Sequence, residues 1–303
     1  MRPRPTPILI AAVIAAALAV PCRAQVEIDR RIPAPPRGEL RVSSAFGSIV
    51  VKAWEKNEVA VRGRTAAGAE GFDLDGDKEG TSVDVSVPEA WLHAPGEDEA
   101  FRSTLEISAP VGSRVSVETV NAAVSVEGFA SHVDAVTVNG GVRVTGSATE
   151  IEVETMTGTV DVAVQSAPMR VQTISGTVKA AGVTGETEIE TVSGGVELSG
   201  ANVSSLQVKS TTGAVSYHGS LARQGSIEIE TFSSPVRLVL PKATRAVFRI
   251  QTFGGKIQSD FCAGTPVVRE RFEPFRQLRC STGPEDFEID VRTHDADITI
   301  AAE

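Results

Sequence analysis

The residues of this chain that could do chemistry are few and scattered. Acids recur at alternate positions in Asp73-Leu-Asp75-Gly-Asp77-Lys-Glu79-Gly80, with Asp84 beyond, a spacing that resembles a calcium loop. Such a loop needs glycine at its sixth position for a sharp turn, and Lys78 stands there. The flanks read as strands, so a hairpin turn between Phe72 and Val83 accounts for the same letters. His93, His132, His218 and His294 lie far apart without zinc-ligand spacing. Neither a G-x-S-x-G elbow nor a glycine-rich phosphate loop opening a helix occurs. Carbohydrate-active enzymes built on parallel β-solenoids need acids clustered with Arg or Lys on one outward face. Here the outward positions are mostly Thr, Ser, Glu, Gln and Lys, and aromatics make up only 5% of the chain. No residue is therefore assigned a catalytic, cofactor-binding or metal-binding role, and neither a cofactor nor enzymatic activity is expected.

Cys262 and Cys280 are the two cysteines beyond the N-terminal segment. In an oxidising compartment a lone pair is most simply a disulfide. Closing a loop of about 18 residues contributes roughly 3 kcal/mol in the chain-entropy model. A redox-active pair would call for C-x-x-C spacing, which is absent. Around the cysteines, residues 258–286 carry Arg269, Arg271, Arg276 and Arg279, the only basic cluster in an acidic chain. This segment reads either as a disulfide-pinned loop whose charge balances nearby acids or as a partner or anion contact.

The N-terminus addresses the chain to the envelope. Arg2 and Arg4 precede an apolar run from Ile8 to Val20, and Cys22-Arg23-Ala24 places small residues where a signal peptidase reads. That run is too short for a bilayer, which needs roughly 20 apolar residues. The expectation is a signal peptide over residues 1–24, cleaved after Ala24, and a periplasmic or secreted protein. A lipoprotein anchored at Cys22 is the rival, though Val20-Pro21 makes a poor lipobox. Removing residues 1–24 removes three arginines and no acids, which takes the formal charge from −10 to −13. So acidic a chain is repelled by nucleic acid and anionic lipid surfaces.

The elements behind these residues are repetitive. Ser or Thr, usually an apolar residue, two turn-like residues, any residue, then Val or Ile recurs ten times. Examples are Thr137-Val-Asn-Gly-Gly-Val142, Thr173-Ile-Ser-Gly-Thr-Val178 and Thr191-Val-Ser-Gly-Gly-Val196, with an outlying copy at Ser44-Ala-Phe-Gly-Ser-Ile49. From Thr119 the leading Ser/Thr steps by 18, 18, 18, 18, 19, 21 and 21 residues. Each copy lies between short runs of period two, which mean strand. A fixed step carrying two strands is one coil of a parallel β-solenoid, each coil adding about 4.8 Å. Gly140, Gly158, Gly176, Gly194 and Gly213 then mark a corner needing positive φ. The residue before each leading Ser/Thr points outward; Glu118, Glu154, Glu190 and Glu230 alternate there with non-acidic residues. That alternation reads as avoidance of repulsion on a solvated face, not as a binding site. Residues 25–110 fall outside the step and are expected to form a first coil near Ser44 and an irregular β cap bearing Trp54 and Trp91. The solenoid proper spans 111–303, with 258–286 inserted and the stretch from Phe287 to Ile300 closing the core.

The ten copies, the Trp54-Glu-Lys-Asn-Glu-Val-Ala-Val segment and the strand endings Ile107-Ser-Ala-Pro110 and Val239-Leu-Pro241 resemble the DUF4097 family over about residues 40–300. That family has no assigned function, includes exported bacterial proteins and is often labelled adhesin-like. The resemblance implies a single-stranded right-handed β-helix and supplies no catalytic residues. The leading function is a non-enzymatic envelope protein binding a glycan or a surface protein. A structural or regulatory scaffold in envelope stress signalling and a polysaccharide-active enzyme stand as alternatives. The partner and the oligomeric state stay open.

Overall fold

Buried and exposed residues alternate through nearly every strand. In Glu150–Thr157, Ile151, Val153 and Thr155 are buried while Glu152, Glu154 and Met156 face out. A strand so patterned has one dry face and one wet face, and it must cover the dry one against others of its kind. The computed structural model describes residues 25–93, 101–164, 168–269, 275–283 and 286–303. The predicted signal peptide lies outside these residues. Among the described residues the fold is all-β: 24 strands join one continuous solenoid-like sheet, and one short helix, Glu89–His93, accompanies them.

Each repeat pairs with the next in parallel and in register. Thr119 lies beside Thr137, Thr137 beside Thr155, Thr155 beside Thr173, Thr173 beside Thr191, and Thr191 beside Ser210. On the following face Val124, Val142, Val160, Val178, Val196 and Val215 stack in the same order. These columns form one hydrophobic core along the rod. At three of the corners the threonine hydroxyl reaches a backbone carbonyl. Thr155 Oγ1 donates to the Thr157 carbonyl at 3.1 Å, Thr231 Oγ1 to Ser234 at 3.0 Å and Thr252 Oγ1 to Ala296 at 3.1 Å.

The glycine column has two causes. Gly158, Gly176, Gly194 and Gly213 adopt positive φ, from 117° to 152°. At each of them a Cβ would also overlap the carbonyl oxygen of the glycine one coil before. Gly140 departs from the expectation: it is not among the positive-φ residues, and close approach to the Ala122 carbonyl alone excludes a side chain there.

The stacking order differs from the chain order at both ends. Strand Glu39–Ser44 pairs with Arg114–Thr119 on one side and Gly80–Ser86 on the other, so the coil near Ser44 is second in the stack. Ser103–Pro110 likewise lies outside Phe46–Trp54. Antiparallel strands Glu58–Arg64 and Glu27–Pro33 then cover that edge, and Gly71–Gly76 covers Gly80–Ser86. At the far end, Phe287–Thr293 slots between Val215–Thr231 and Val247–Thr252. The segment expected to close the core is thus the penultimate rung. The outermost is Val247–Thr252, capped by antiparallel Arg276–Ser281. The physical reason is covering of apolar surface. Phe248 on the outer rung needs a lid; Phe261 stacks on it at 5.3 Å, and buried Leu278 and Cys262 complete the seal. Only the long 258–286 connection brings those residues over the tip before the chain turns back. Trp54 and Trp91 both lie at the N-terminal end: Trp54 Nε1 donates to Glu58 O at 2.8 Å, and Trp91 meets Phe101 edge-on at 4.9 Å.

Deleting residues 287–303 should release two rungs, because Val247–Thr252 loses its parallel neighbour. Limited proteolysis with mass spectrometry should then give a resistant core ending near residue 240; a core still protected to about 280 would contradict this stacking. A second contrast tests the corner. Gly194→Ala should cost about 2–4 kcal/mol, from strain plus backbone overlap. The adjacent Gly195→Ala, whose Cβ would meet only the Ala214 carbonyl oxygen at 3.8 Å and Thr177 Cγ2 at 4.0 Å, should stay within about 0.5 kcal/mol of wild type in a denaturant melt.

Candidate functional site

The pleat that buries Thr155 puts Glu154 and Met156 on the same outward face, and every coil repeats the arrangement. Three neighbouring columns therefore line a groove along the rod: Glu154, Gln172 and Glu190 on one bank, the threonine backbone between, and an apolar column on the other. The groove runs from Val136 to Phe232 and encloses about 700 Å³. On the apolar bank Met156 is 49% exposed, Ile174 48%, Val192 51% and Phe232 54%. Single exposed hydrophobics are ordinary, but a contiguous series marks a contact surface.

Beyond Phe232 the column turns aromatic. His294 stacks on Phe232 at 4.7 Å and on Phe253 at 4.9 Å, with interplanar angles of 12° and 15°. Phe275 then meets Phe253 edge-on at 6.1 Å. His294 thus takes up one face of each phenylalanine. A sugar-stacking platform requires an open ring face.

The outward glutamates are not simply spaced apart, as the sequence suggested. Glu190 accepts a salt bridge from Lys209 at 3.2 Å, and Arg292 reaches Glu230 at 3.1 Å and Asp290 at 2.6 Å. One column further out, Arg170 pairs with Glu188 at 2.8 Å and Arg249 with Glu288. Among the described residues Asp134, Glu152 and Glu154 form no such ion pair; Arg170 stands opposite Glu152 in register but bridges Glu188 instead. Asp134 is half-buried, and burial pushes its carboxyl above the usual range; the charges of Glu152 and Glu154 add to this, against the Ser116 hydroxyl at 3.3 Å and His132. The far side of the apolar column is neutral. Asn139 Nδ2 donates to Asn121 Oδ1 at 2.8 Å, and Thr157 and Ser175 follow in the same column.

The residues singled out in the sequence fare differently. Cys262 and Cys280 are joined, their Cα atoms 5.8 Å apart. Arg271 lies outside the described residues, and Arg269 is opposite Arg276 in a two-residue antiparallel pair. Arg276 Nη1 is committed to the Gly255 carbonyl at 2.8 Å, and exposed Arg279 lies across from Arg249. The acidic stretch from Asp73 folds as the hairpin Gly71–Gly76 and Gly80–Ser86. Asp77 Oδ1 accepts the Glu79 and Gly80 amides at 2.8 and 3.0 Å, which lowers its pKa and engages it in closing the turn. His132 meets Glu150 at 3.0 Å and His218 meets Glu303 at 2.6 Å. Among the described residues no three metal-ligating side chains gather, and no helix is long and apolar enough to cross a membrane. The apolar bank escaped the sequence reading, although its signal was present: the residue after the leading Ser/Thr is apolar in most copies, Thr211 and His294 being the polar ones, yet parity places it outside.

Three comparisons place the chain among known proteins. The family model described as Toastrack DUF4097 matches residues 38–301. A solved structure of a protein provisionally named for cell adhesion, from Clostridium sporogenes ATCC 15579, is 11% identical; the match covers 92% of this chain and 100% of that one, with a TM-score of 0.21. Another, provisionally named an adhesin, from Bacteroides fragilis NCTC 9343, is also 11% identical and covers 92% and 98%, with a TM-score of 0.33. No curated protein matches the chain.

The raised Asp134 carboxyl gives a pH signature. A carboxylate whose folded pKa lies above its unfolded value stabilises fully only below the unfolded pKa, and loses that contribution as pH rises through the folded pKa. At neutral pH the charge on Asp134 therefore costs stability. Asp134→Asn should melt above wild type at pH 7, with the difference closing as pH falls towards about 4. A variant that melts lower at pH 7 would contradict this environment.

Proposed function

We propose, on the premise that this chain belongs to the Toastrack DUF4097 family, that it is a non-enzymatic binding module of the bacterial envelope that takes a protein ligand along its groove. The observation that carries this reading is the exposed apolar column Met156, Ile174, Val192 and Phe232 on a rigid rod. Aliphatic side chains about 4.8 Å apart offer methyl contacts suited to another polypeptide's side chains. A glycan is the weaker ligand, because the aromatic faces at the end of the column are spent on each other.

The same proposal includes the finer points of the architecture and its address. The coils form a single-stranded right-handed β-helix, residues 25–110 act as cap and early coils, and the mature protein begins after a cleaved signal peptide in the periplasm or outside the cell. The disulfide between Cys262 and Cys280 supports an oxidising compartment.

The test is retention on immobilised mature protein, residues 25–303, of a glycan panel and of solubilised envelope extract from its own host, in parallel with Ile174→Asp/Val192→Asp. Both substitutions fall on exposed positions, so the melting temperature should hold. A retained protein that the double variant loses by at least about tenfold supports the reading. A retained glycan with no protein overturns the ligand class, and equal retention by the variant overturns the groove.

A further inference from the structure

Charge is distributed unevenly across the groove, and its asymmetry describes the partner. The apolar column is bordered on one side by carboxylates that alternate with Val136, Gln172 and Lys209, and on the other by amides and hydroxyls. On the acidic side each cation is already matched: Arg170 to Glu188, Lys209 to Glu190, Arg292 to Glu230 and Asp290, and Arg249 to Glu288. Glu154 remains in excess on the bank beside Met156, and Asp134 and Glu152 lie in the next column outward, two residues further from the apolar one on adjacent coils. Their crowding is what helps raise the Asp134 carboxyl. Bringing cations to that bank would relieve the repulsion, whereas anions would add to it.

The dimensions narrow the class further. From Val138 to Phe232 the column, broken once by Thr211, makes five steps of about 4.8 Å, or about 24 Å. An α-helix of about 16 residues has that length, and its turns repeat every 5.4 Å or so, close to the spacing of the rungs. Apolar residues at i, i+3, i+4 and i+7 would meet the column turn by turn. An extended strand matches less well, since its same-face side chains recur at about 6.6 Å. An acidic bank beside the apolar column also disfavours an anionic bilayer as its cover.

We infer that the groove receives an amphipathic helix of about 16 residues from a partner protein, its apolar stripe on Met156, Ile174 and Val192 and a Lys/Arg flank against Asp134, Glu152 and Glu154. This rests on the protein-binding reading above and specifies the partner's chemistry.

The test uses mature protein and three synthetic 16-residue helical peptides with one leucine stripe, their flank made of lysine, glutamate or glutamine, followed by fluorescence anisotropy. The lysine peptide should bind at least about tenfold tighter than the glutamate one, and weaken about tenfold between 50 and 500 mM salt. D134N/E152Q/E154Q should weaken the lysine peptide by a similar factor. The control D161N/E197Q, whose carboxylates pair with Arg143 and Lys179 on the next face, should leave it unchanged. Equal affinity for lysine and glutamate peptides, or an unaffected triple variant, overturns the cationic helix. In that event, loss of binding in I174D/V192D leaves the groove standing, and its persistence there removes the groove reading as well. Circular dichroism melts of all variants confirm that folding is not what changed.

Discussion

Coils of this rod touch backbone to backbone at one corner, and the rest of the molecule depends on that contact. Where Gly176 meets Gly158 and Gly194 meets Gly176, no side chain fits between the chains. The corner therefore fixes where each coil sits on the last, and the in-register columns of threonine and valine follow. Once register is fixed inside it is fixed outside. A side chain that faces solvent in one coil lies over its counterpart in the next, so a single repeat position becomes a line along the surface. The apolar bank and the acidic bank are both products of this copying.

The repeat made most of the fold legible. Period-two alternation gave the strands, and the spacing of Thr119, Thr137, Thr155, Thr173 and Thr191 gave the register found between them. Stacking order at the ends was not legible, because local pattern says what a segment buries and not which neighbour buries it. Val42 and Ile289 look like the residues of any coil, yet both lie in rungs displaced from their place in the chain. The site was half legible. The glutamate column was visible as outward, but its cation partners come from other coils, and Arg292 lies 62 positions from Glu230. The apolar bank was hidden by its composition: a valine in a valine-rich repeat reads as core unless the alternation is followed through to Val192.

Two demands on the surface meet in this design. A rod of stacked strands ends in unpaired edges that invite aggregation, and antiparallel strands cover both. Its long face carries the opposite hazard, an exposed apolar column that is broken at Thr211. The flanking charges limit it by keeping the surroundings hydrated and by repelling a second acidic rod. What remains accessible is a narrow line open to a partner that supplies both apolar contact and positive charge.

The displaced end rungs bear on how such a rod could change length over evolutionary time. At each tip the outer rung is held by a strand that lies elsewhere in the chain, so a unit duplicated at either tip would have no free site to join. Between residues 111 and 203, by contrast, every coil meets neighbours of its own kind, and an added 18-residue unit would present the same columns above and below. Gene duplication there would extend the groove by one rung and leave both caps untouched. Rod length behaves as a ruler with fixed ends, adjustable to the reach of whatever lies along it.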